Sequence, residues 1–240
     1  MTYLKRTSSI ILSSQYKMPD EKNRIAFHEA GHAAAIYYNN RQHNLPITCF
    51  NININSTAGD TQSDSQGEIY DASIEGGGRL IKSLPRSIDD FEKLQLAQKN
   101  IEERDEILTE LESAMDADIC NLLVGSIAEA KYVSIIDNEQ LTVNLLSVAA
   151  LKNYGGDSDL KLIDDYLQCF FNSGMQSAQK VRDLFYSAFD FVDDPRRWRS
   201  IAALATCILK SKKVIKYKDI IRVLDEADIP ASYRLCMRWM

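Results

Sequence analysis

"RIAFHEAGHAAAIYY", residues 24–38, is the stretch of this chain that decides the predicted fold. It lies within the longer segment 18–40, where Pro19 suits the first turn of a helix and Glu21 complements the positive end of the helix dipole. The second half of the stretch is apolar on nearly every face, which is typical of a buried helix. The sequence therefore predicts a buried helix that ends at the pair Asn39 and Asn40.

Two of the three histidines in the chain, His28 and His32, lie four residues apart here, and Glu29 directly follows the first. On a helix this spacing puts both imidazoles on one stripe, about 40° apart around the axis, so they can bind one metal ion. Glu29 points about 100° away, which suits a general base acting on a water that Zn²⁺ acidifies. Two structural histidines are the alternative, which is less favoured because unpaired polar groups are costly on a buried helix.

The third protein ligand of such a zinc site is not identified by spacing alone. His43 is one candidate, although its polar turn just after the helix is more typical of an exposed histidine. The chain also has 34 acidic residues, any of which is chemically suitable. Gly31 costs roughly 1 kcal/mol relative to alanine inside a helix, so we expect another element to pack closely against that turn.

The composition excludes several classes of protein. The net charge of −6 and the absence of a Lys/Arg stripe argue against nucleic-acid binding. An odd count of five cysteines without a CxxC pair predicts free thiols in a reducing compartment, so we expect a cytoplasmic protein. We find no signal-peptide core, and no stretch near the roughly 20 apolar residues of a membrane span.

The remaining chain predicts a mainly α fold with a small β-sheet near the active site. Strand-like residues 45–54 and 68–74 flank a polar loop at 55–68, and 75–79 breaks the chain again. Helical patterns cover 88–136, 159–172, 174–190, 195–211 and 217–227. The predicted organisation is a polar leader at 1–20, one domain at 21–230 and a tail at 231–240. Within the domain, 21–90 holds the zinc helix, sheet and loop, and 91–230 is helical.

The opening stretch resembles the start of the protease domain of FtsH-like ATP-dependent zinc metalloproteases, whose motif is an aromatic residue followed by HEAGHA. Later segments resemble the same family in the same order. These are "PITCFNINI" (46–54), "ICNLLVGSIAEAKY" (119–132), "YGGDSDLKLIDDYL" (154–167) and the closing helices at 201–227. The resemblance spans roughly residues 24–228 and implies the fold of that protease domain.

The resemblance also implies site residues. The third zinc ligand of the family is the aspartate of an NDL segment, which corresponds to Asp159, while Asp157 competes because a shift of two residues would move the match. Glu129 corresponds to the first glutamate of the family's AAEE element. It would accept a hydrogen bond from a ligand imidazole or its neighbourhood.

Several family features have no counterpart in this chain. The sequence contains no GxxxxGK[ST] motif, so the ATPase module is missing, and the membrane helices are missing too. We therefore expect a stand-alone zinc metallopeptidase, not itself ATP-hydrolysing, that cleaves peptides or unfolded chains paired with residues 47–54. It would assemble as a homo-oligomer or with a separate ATPase.

Two alternatives stay open at this level. The first is a non-catalytic zinc-containing adaptor or regulatory module of the same fold, since the substrate groove of the family is altered here. The retained Glu29 argues against it. The second is a metal-free helical scaffold, which would hold no metal tightly.

Overall fold

The structure is a computed structural model that describes residues 21–57, 69–82, 84, 99–171 and 174–229. These residues form mostly helices and one two-stranded antiparallel sheet, which confirms the predicted mainly α fold with a small sheet. The elements are α1 (Glu21–Gln42), β1 (Asn51–Thr57), β2 (Ile69–Glu75), α2 (Ile101–Ile136), a 3-10 helix (Val148–Tyr154), α3 (Asp157–Phe170), α4 (Gly174–Asp193), α5 (Pro195–Lys210) and α6 (Tyr217–Asp228). Four predicted segments lie outside the described residues. They are the predicted leader at 1–20, the predicted loop at 58–68, the predicted helical pattern at 88–98 and the predicted tail at 231–240.

The helix α1 continues past the asparagine pair that was predicted to end it. Both asparagines are buried, and their side chains bond to neighbouring segments instead of terminating the helix. Asn39 Nδ2 donates to Asn121 Oδ1 on α2 at 2.9 Å, and Asn40 Nδ2 donates to the Pro46 carbonyl at 3.3 Å. The helix ends where Asn44 adopts a left-handed conformation with φ of 54°.

The first strand begins later than predicted, at Asn51 instead of 45. The reason is that the preceding residues complete the end of α1, where the Leu45 N–H bonds to the Asn40 carbonyl at 2.8 Å. β1 then pairs with β2, and Ile52 lies opposite Ile74. The returning strand predicted at 68–74 is therefore confirmed.

The core of the molecule is the contact between α1 and α2. Small residues on both helices allow close approach, and Ala30, Ala33 and Ala34 are fully buried. One window of α2 is long and apolar enough to cross a membrane by composition, and 67% of it is buried inside the protein. We predicted that no stretch would be apolar enough to span a membrane, and this window of α2 is an exception by composition. Its burial is that of a core helix.

The C-terminal helices follow the predicted positions within three residues and close the core from the other side. α5 packs against α1, and α6 packs against α5. The described cysteines are free thiols, as the odd count predicts; they are Cys49, Cys120, Cys169 and Cys207.

Candidate metal centre

Three side chains from distant parts of the chain meet beside α1. His28 Nε2 lies 2.9 Å from His32 Nε2, and Asp159 Oδ2 lies 3.2 Å from the first and 3.3 Å from the second. The two histidines come from α1, and the aspartate comes from the first turn of α3. This group could hold a metal ion, as the HExxH spacing and the family resemblance predict.

Hydrogen bonds at the other ring nitrogens determine which atoms accept a cation. His28 Nδ1 lies 3.2 Å from the Tyr154 carbonyl, and His32 Nδ1 lies 2.9 Å from the Asn121 carbonyl. Because carbonyl oxygens only accept, each Nδ1 carries a proton, so the neutral form of each ring, which a metal ligand requires, presents an Nε2 lone pair. Two lone pairs and one carboxylate oxygen then converge without a donor among them, which is a site built for positive charge.

The separations between these atoms fit a tetrahedral metal ion. Zinc binds imidazole nitrogen at about 2.0–2.1 Å, which puts neighbouring ligand atoms roughly 3.3 Å apart. The three observed separations, 2.9, 3.2 and 3.3 Å, are close to that value. Two histidines and one carboxylate are also a ligand set of catalytic zinc sites. The residues therefore fit a tetrahedral divalent ion such as Zn²⁺.

Glycines bring α2 close to the turn of α1 that carries both histidines. A Cβ on Gly31 would lie 2.8 Å from Ala128 Cβ and 3.0 Å from the Val124 carbonyl. A Cβ on Gly125 would lie 2.7 Å from His32 Nδ1. The prediction that another element packs against Gly31 is thus confirmed, and that element is α2.

The structure separates the candidate third ligands. Asp159 reaches both imidazoles, whereas Asp157 is exposed and its Oδ2 accepts from Lys161 Nζ at 2.7 Å. Asp157 points away because it lies two residues earlier on α3, on a different face of the helix. His43 is exposed just beyond α1 and does not line the cavity that contains His28.

Glu129 lies where the resemblance implied, beside a ligand imidazole. Its Oε2 is 3.3 Å from His28 Nδ1, and the residue is 3% exposed. Its Oε1 accepts from Arg24 Nε at 2.7 Å. The sequence analysis missed Arg24, although its position four residues before His28 puts it on the same face of α1.

The pKa values in this cluster are shifted because imidazoles and carboxylates lie close together. Burial lowers the pKa of His28, but the Asp159 and Glu129 carboxylates outweigh burial and raise the pKa to about 10. Burial also lowers the pKa of His32, and Asp159 again outweighs it. In Asp159 itself burial raises the pKa, yet the two imidazoles hold it below its usual value. In all three groups the charged neighbours outweigh burial, so the cluster favours charged imidazoles beside a charged carboxylate.

Glu29 lines the same cavity, which has a volume of about 470 Å³ and opens onto His28, His32 and Asp159. The side chain is half-buried. Burial raises the pKa of Glu29, and the two neighbouring imidazoles oppose this rise only in part. A carboxylate with a raised pKa is a better proton acceptor near neutral pH, as a general base requires.

One edge of β2 forms a wall of this cavity. Ile52 of β1 exchanges backbone hydrogen bonds with Ile215, at 3.0 and 2.8 Å, so its polar groups point away from β2. Ile74 lies opposite Ile52, and in such a non-hydrogen-bonded antiparallel pair its N–H and C=O also point outward. Alternation gives Ala72 the same orientation. Among the described residues no other strand pairs with this edge of β2.

The free edge therefore differs from the one that was predicted. The predicted docking segment, 47–54, contains Ile52, whose outer edge is already bonded to Ile215. Residues 47–50 precede the strand. Ala72 and Ile74 on β2 both line the cavity that contains the histidines. Ala72 is buried and Ile74 is partly exposed, so among the described residues Ile74 carries the unpaired strand backbone beside the candidate centre.

Asp118 holds the turn after β2 against α2, and the sequence analysis missed it. Its two carboxylate oxygens accept from the backbone N–H groups of Leu80 and Ile81 at 2.8 and 2.9 Å, and Tyr166 Oη donates to it at 2.7 Å. Burial raises the pKa of Asp118, and these hydrogen bonds partly offset the rise. The available signal was an aspartate between Ala117 and Ile119, at the start of an apolar run of α2.

Comparison with protein-family models, with curated proteins and with solved structures gives no match to this chain. The resemblance to the FtsH-like protease domain therefore stays a prediction.

Proposed function

We propose that this protein is a zinc metallopeptidase that hydrolyses peptide bonds in short or unfolded chains. The observation that carries the proposal is the triangle of acceptor atoms from His28, His32 and Asp159, with the Glu29 carboxylate in the same cavity. Two structural histidines would not need to direct both Nε2 lone pairs at a carboxylate oxygen.

Each of these residues would have a separate role in peptide hydrolysis. His28, His32 and Asp159 would hold the ion, which when bound polarises a carbonyl group and acidifies water. Glu29 would take the proton from the attacking water and pass it to the leaving amine. The outward-pointing backbone groups of Ile74, at the edge of β2, would pair with an extended peptide and hold it along the cavity.

An extended backbone is the substrate feature that this edge recognises. Pairing with strand β2 uses main-chain N–H and C=O groups, which a folded substrate keeps within its own secondary structure. Peptides and unfolded segments present those groups freely. The proposed substrates are therefore extended chains, with weak dependence on side-chain identity at the paired positions.

The substitution Glu29→Gln tests the proposal. The variant keeps the size of the side chain but loses the base, so we expect unchanged zinc content and cleavage of an unfolded protein slower by about 100- to 10,000-fold. Zinc is measured by elemental analysis of purified protein, and cleavage is measured by release of fluorescent fragments. Glu21→Gln, in the exposed first turn of α1, is the matched control and should cleave normally.

Two results would argue against the proposal. Cleavage by Glu29→Gln at the wild-type rate would reject Glu29 as the base. Full zinc occupancy in a wild-type protein that cleaves no unfolded substrate would reject the peptidase and favour the non-catalytic zinc module instead.

A further inference from the structure

A partly buried arginine joins the segments that carry the candidate ligands. Arg24 lies one turn before His28 on α1, and it donates from both Nε and Nη2 to Oε1 of Glu129 on α2. Arg24 Nη2 also donates to the Asn153 carbonyl at 3.0 Å. The side chain of Arg24 is 15% exposed and that of Glu129 is 4% exposed, so this ion pair is largely shielded from water.

The bonds from Arg24 hold the two groups that face the His28 Nδ1 proton, which are the Glu129 carboxylate and the Tyr154 carbonyl. Glu129 offers Oε2 to that nitrogen at 3.3 Å, while Arg24 holds its other oxygen. The second acceptor is the Tyr154 carbonyl, and Tyr154 directly follows Asn153. One guanidinium group therefore fixes the carboxylate and the backbone that together orient the His28 ring.

The same backbone leads to the third candidate ligand. After Tyr154 the chain turns at Gly155, which has φ of 73°, and a Cβ there would lie 2.9 Å from His28 Nδ1. The helix α3 begins two residues later and carries Asp159 in its first turn. A displacement of the Asn153 carbonyl would therefore change the position of Asp159 relative to the two histidines.

We propose that Arg24 is a positioning residue of the metal centre, which sets the orientation of His28 and the distance from α1 to Asp159. The proposal rests on the proposed zinc site. The planar guanidinium can donate to a carboxylate and a carbonyl at once, whereas the single ammonium of lysine has no such fixed fork. Arg24 contributes no ligand atom and acts only through Glu129 and the 153–155 turn.

The experiment compares Arg24→Met, Arg24→Lys, Glu129→Gln and the double variant Arg24→Met/Glu129→Gln with wild type. Zinc affinity is measured by competition with a chromophoric chelator, and the geometry of the site is followed by the visible absorption of bound Co²⁺. We expect Arg24→Met to bind zinc about 10- to 100-fold more weakly, with an altered Co²⁺ spectrum. Arg24→Lys should lose less zinc affinity than Arg24→Met. The double variant should lose little more zinc affinity than either single variant. Arg41→Met, at the exposed far end of α1, is the control.

The outcomes separate this proposal from the proposed function. Wild-type protein that binds no zinc would remove the metal site itself. Wild-type zinc binding with equal affinity and an equal Co²⁺ spectrum in Arg24→Met would overturn only the role of Arg24, as would fully additive losses in the double variant. Should Arg24→Met fail to fold, as judged by circular dichroism, the comparison passes to Arg24→Lys, and wild-type affinity and spectrum in that variant would overturn the role.

Discussion

The two aspartates at the start of α3 show how much depends on the position of one residue. Asp159 lies within 3.3 Å of both imidazoles, while the side chain of Asp157 is 71% exposed and pairs with Lys161. Such an exposed pair one helical turn apart contributes little to stability, because water screens the two charges. The two side chains therefore have separate roles, one at the candidate centre and one on the surface.

These aspartates give a matched pair of substitutions. Asp159→Asn should weaken zinc binding by more than the roughly 10- to 100-fold that loss of an outer-sphere hydrogen-bond partner costs, because it removes the only charged ligand. Asp157→Asn should leave the affinity unchanged. Chelator competition measures both constants, and equal affinities in the two variants would contradict the assignment of Asp159.

At the scale of elements, the N-terminus of α5 is capped by a side chain. Asp194 Oδ1 accepts from the backbone N–H groups of Arg196 and Arg197 at 2.7 and 3.1 Å, and Pro195 occupies the first turn. Burial opposes ionisation, but these hydrogen bonds and the nearby arginines together outweigh it and lower the pKa of Asp194 below its usual 3.8. A helix start of this kind is stabilised while the carboxylate is charged.

Asp194→Ala should lower the free energy of unfolding by about 1 kcal/mol at pH 7, because two N–H groups lose their acceptor. Since the native pKa is lowered, the ionic part of this stabilisation is complete above pH 3.8 and is lost as the pH falls through the native value. Asp194→Asn is the control, because asparagine caps without titrating. Urea unfolding at pH 7 and pH 3 measures the effect, and a difference between wild type and Asp194→Asn that stays constant with pH would contradict it.

At the scale of the whole molecule, the candidate centre connects parts of the chain that are far apart in sequence. His28 and Asp159 are separated by 131 positions, and Arg24 and Glu129 by 105. A metal ion held by α1 and α3 binds the folded protein and has no such preformed site in the unfolded chain. Metal binding should therefore raise the unfolding temperature of the protein.

Zinc should raise the unfolding temperature of the wild-type protein, and a chelator should lower it. At a free zinc concentration 1,000 times the dissociation constant, the expected gain is about 4 kcal/mol. Thermal melts followed by circular dichroism measure the shift, and Asp159→Asn should show little change under the same conditions. A wild-type melting temperature that does not respond to zinc or chelator would contradict a metal centre between these elements.

The amino-acid sequence by itself determined the features that depend on local spacing. Apolar periodicity predicts the helices, and the four-residue interval between His28 and His32 puts both rings on one face of α1, with Glu29 beside them. These relations hold on any helix, because they follow from 3.6 residues per turn. The small residue Gly31 likewise signals a close neighbour without naming it.

Only the tertiary structure decided the rest. Three features depend on how separate elements pack. They are the choice of Asp159 over Asp157, the bonds from Arg24 to Glu129 and Asn153, and the orientation of the backbone groups at the edge of β2. The Tyr154 and Asn121 carbonyls leave no trace in the sequence, since every residue has one. Local propensity sets each element, but long-range packing selects which of many chemically equivalent groups reach the centre.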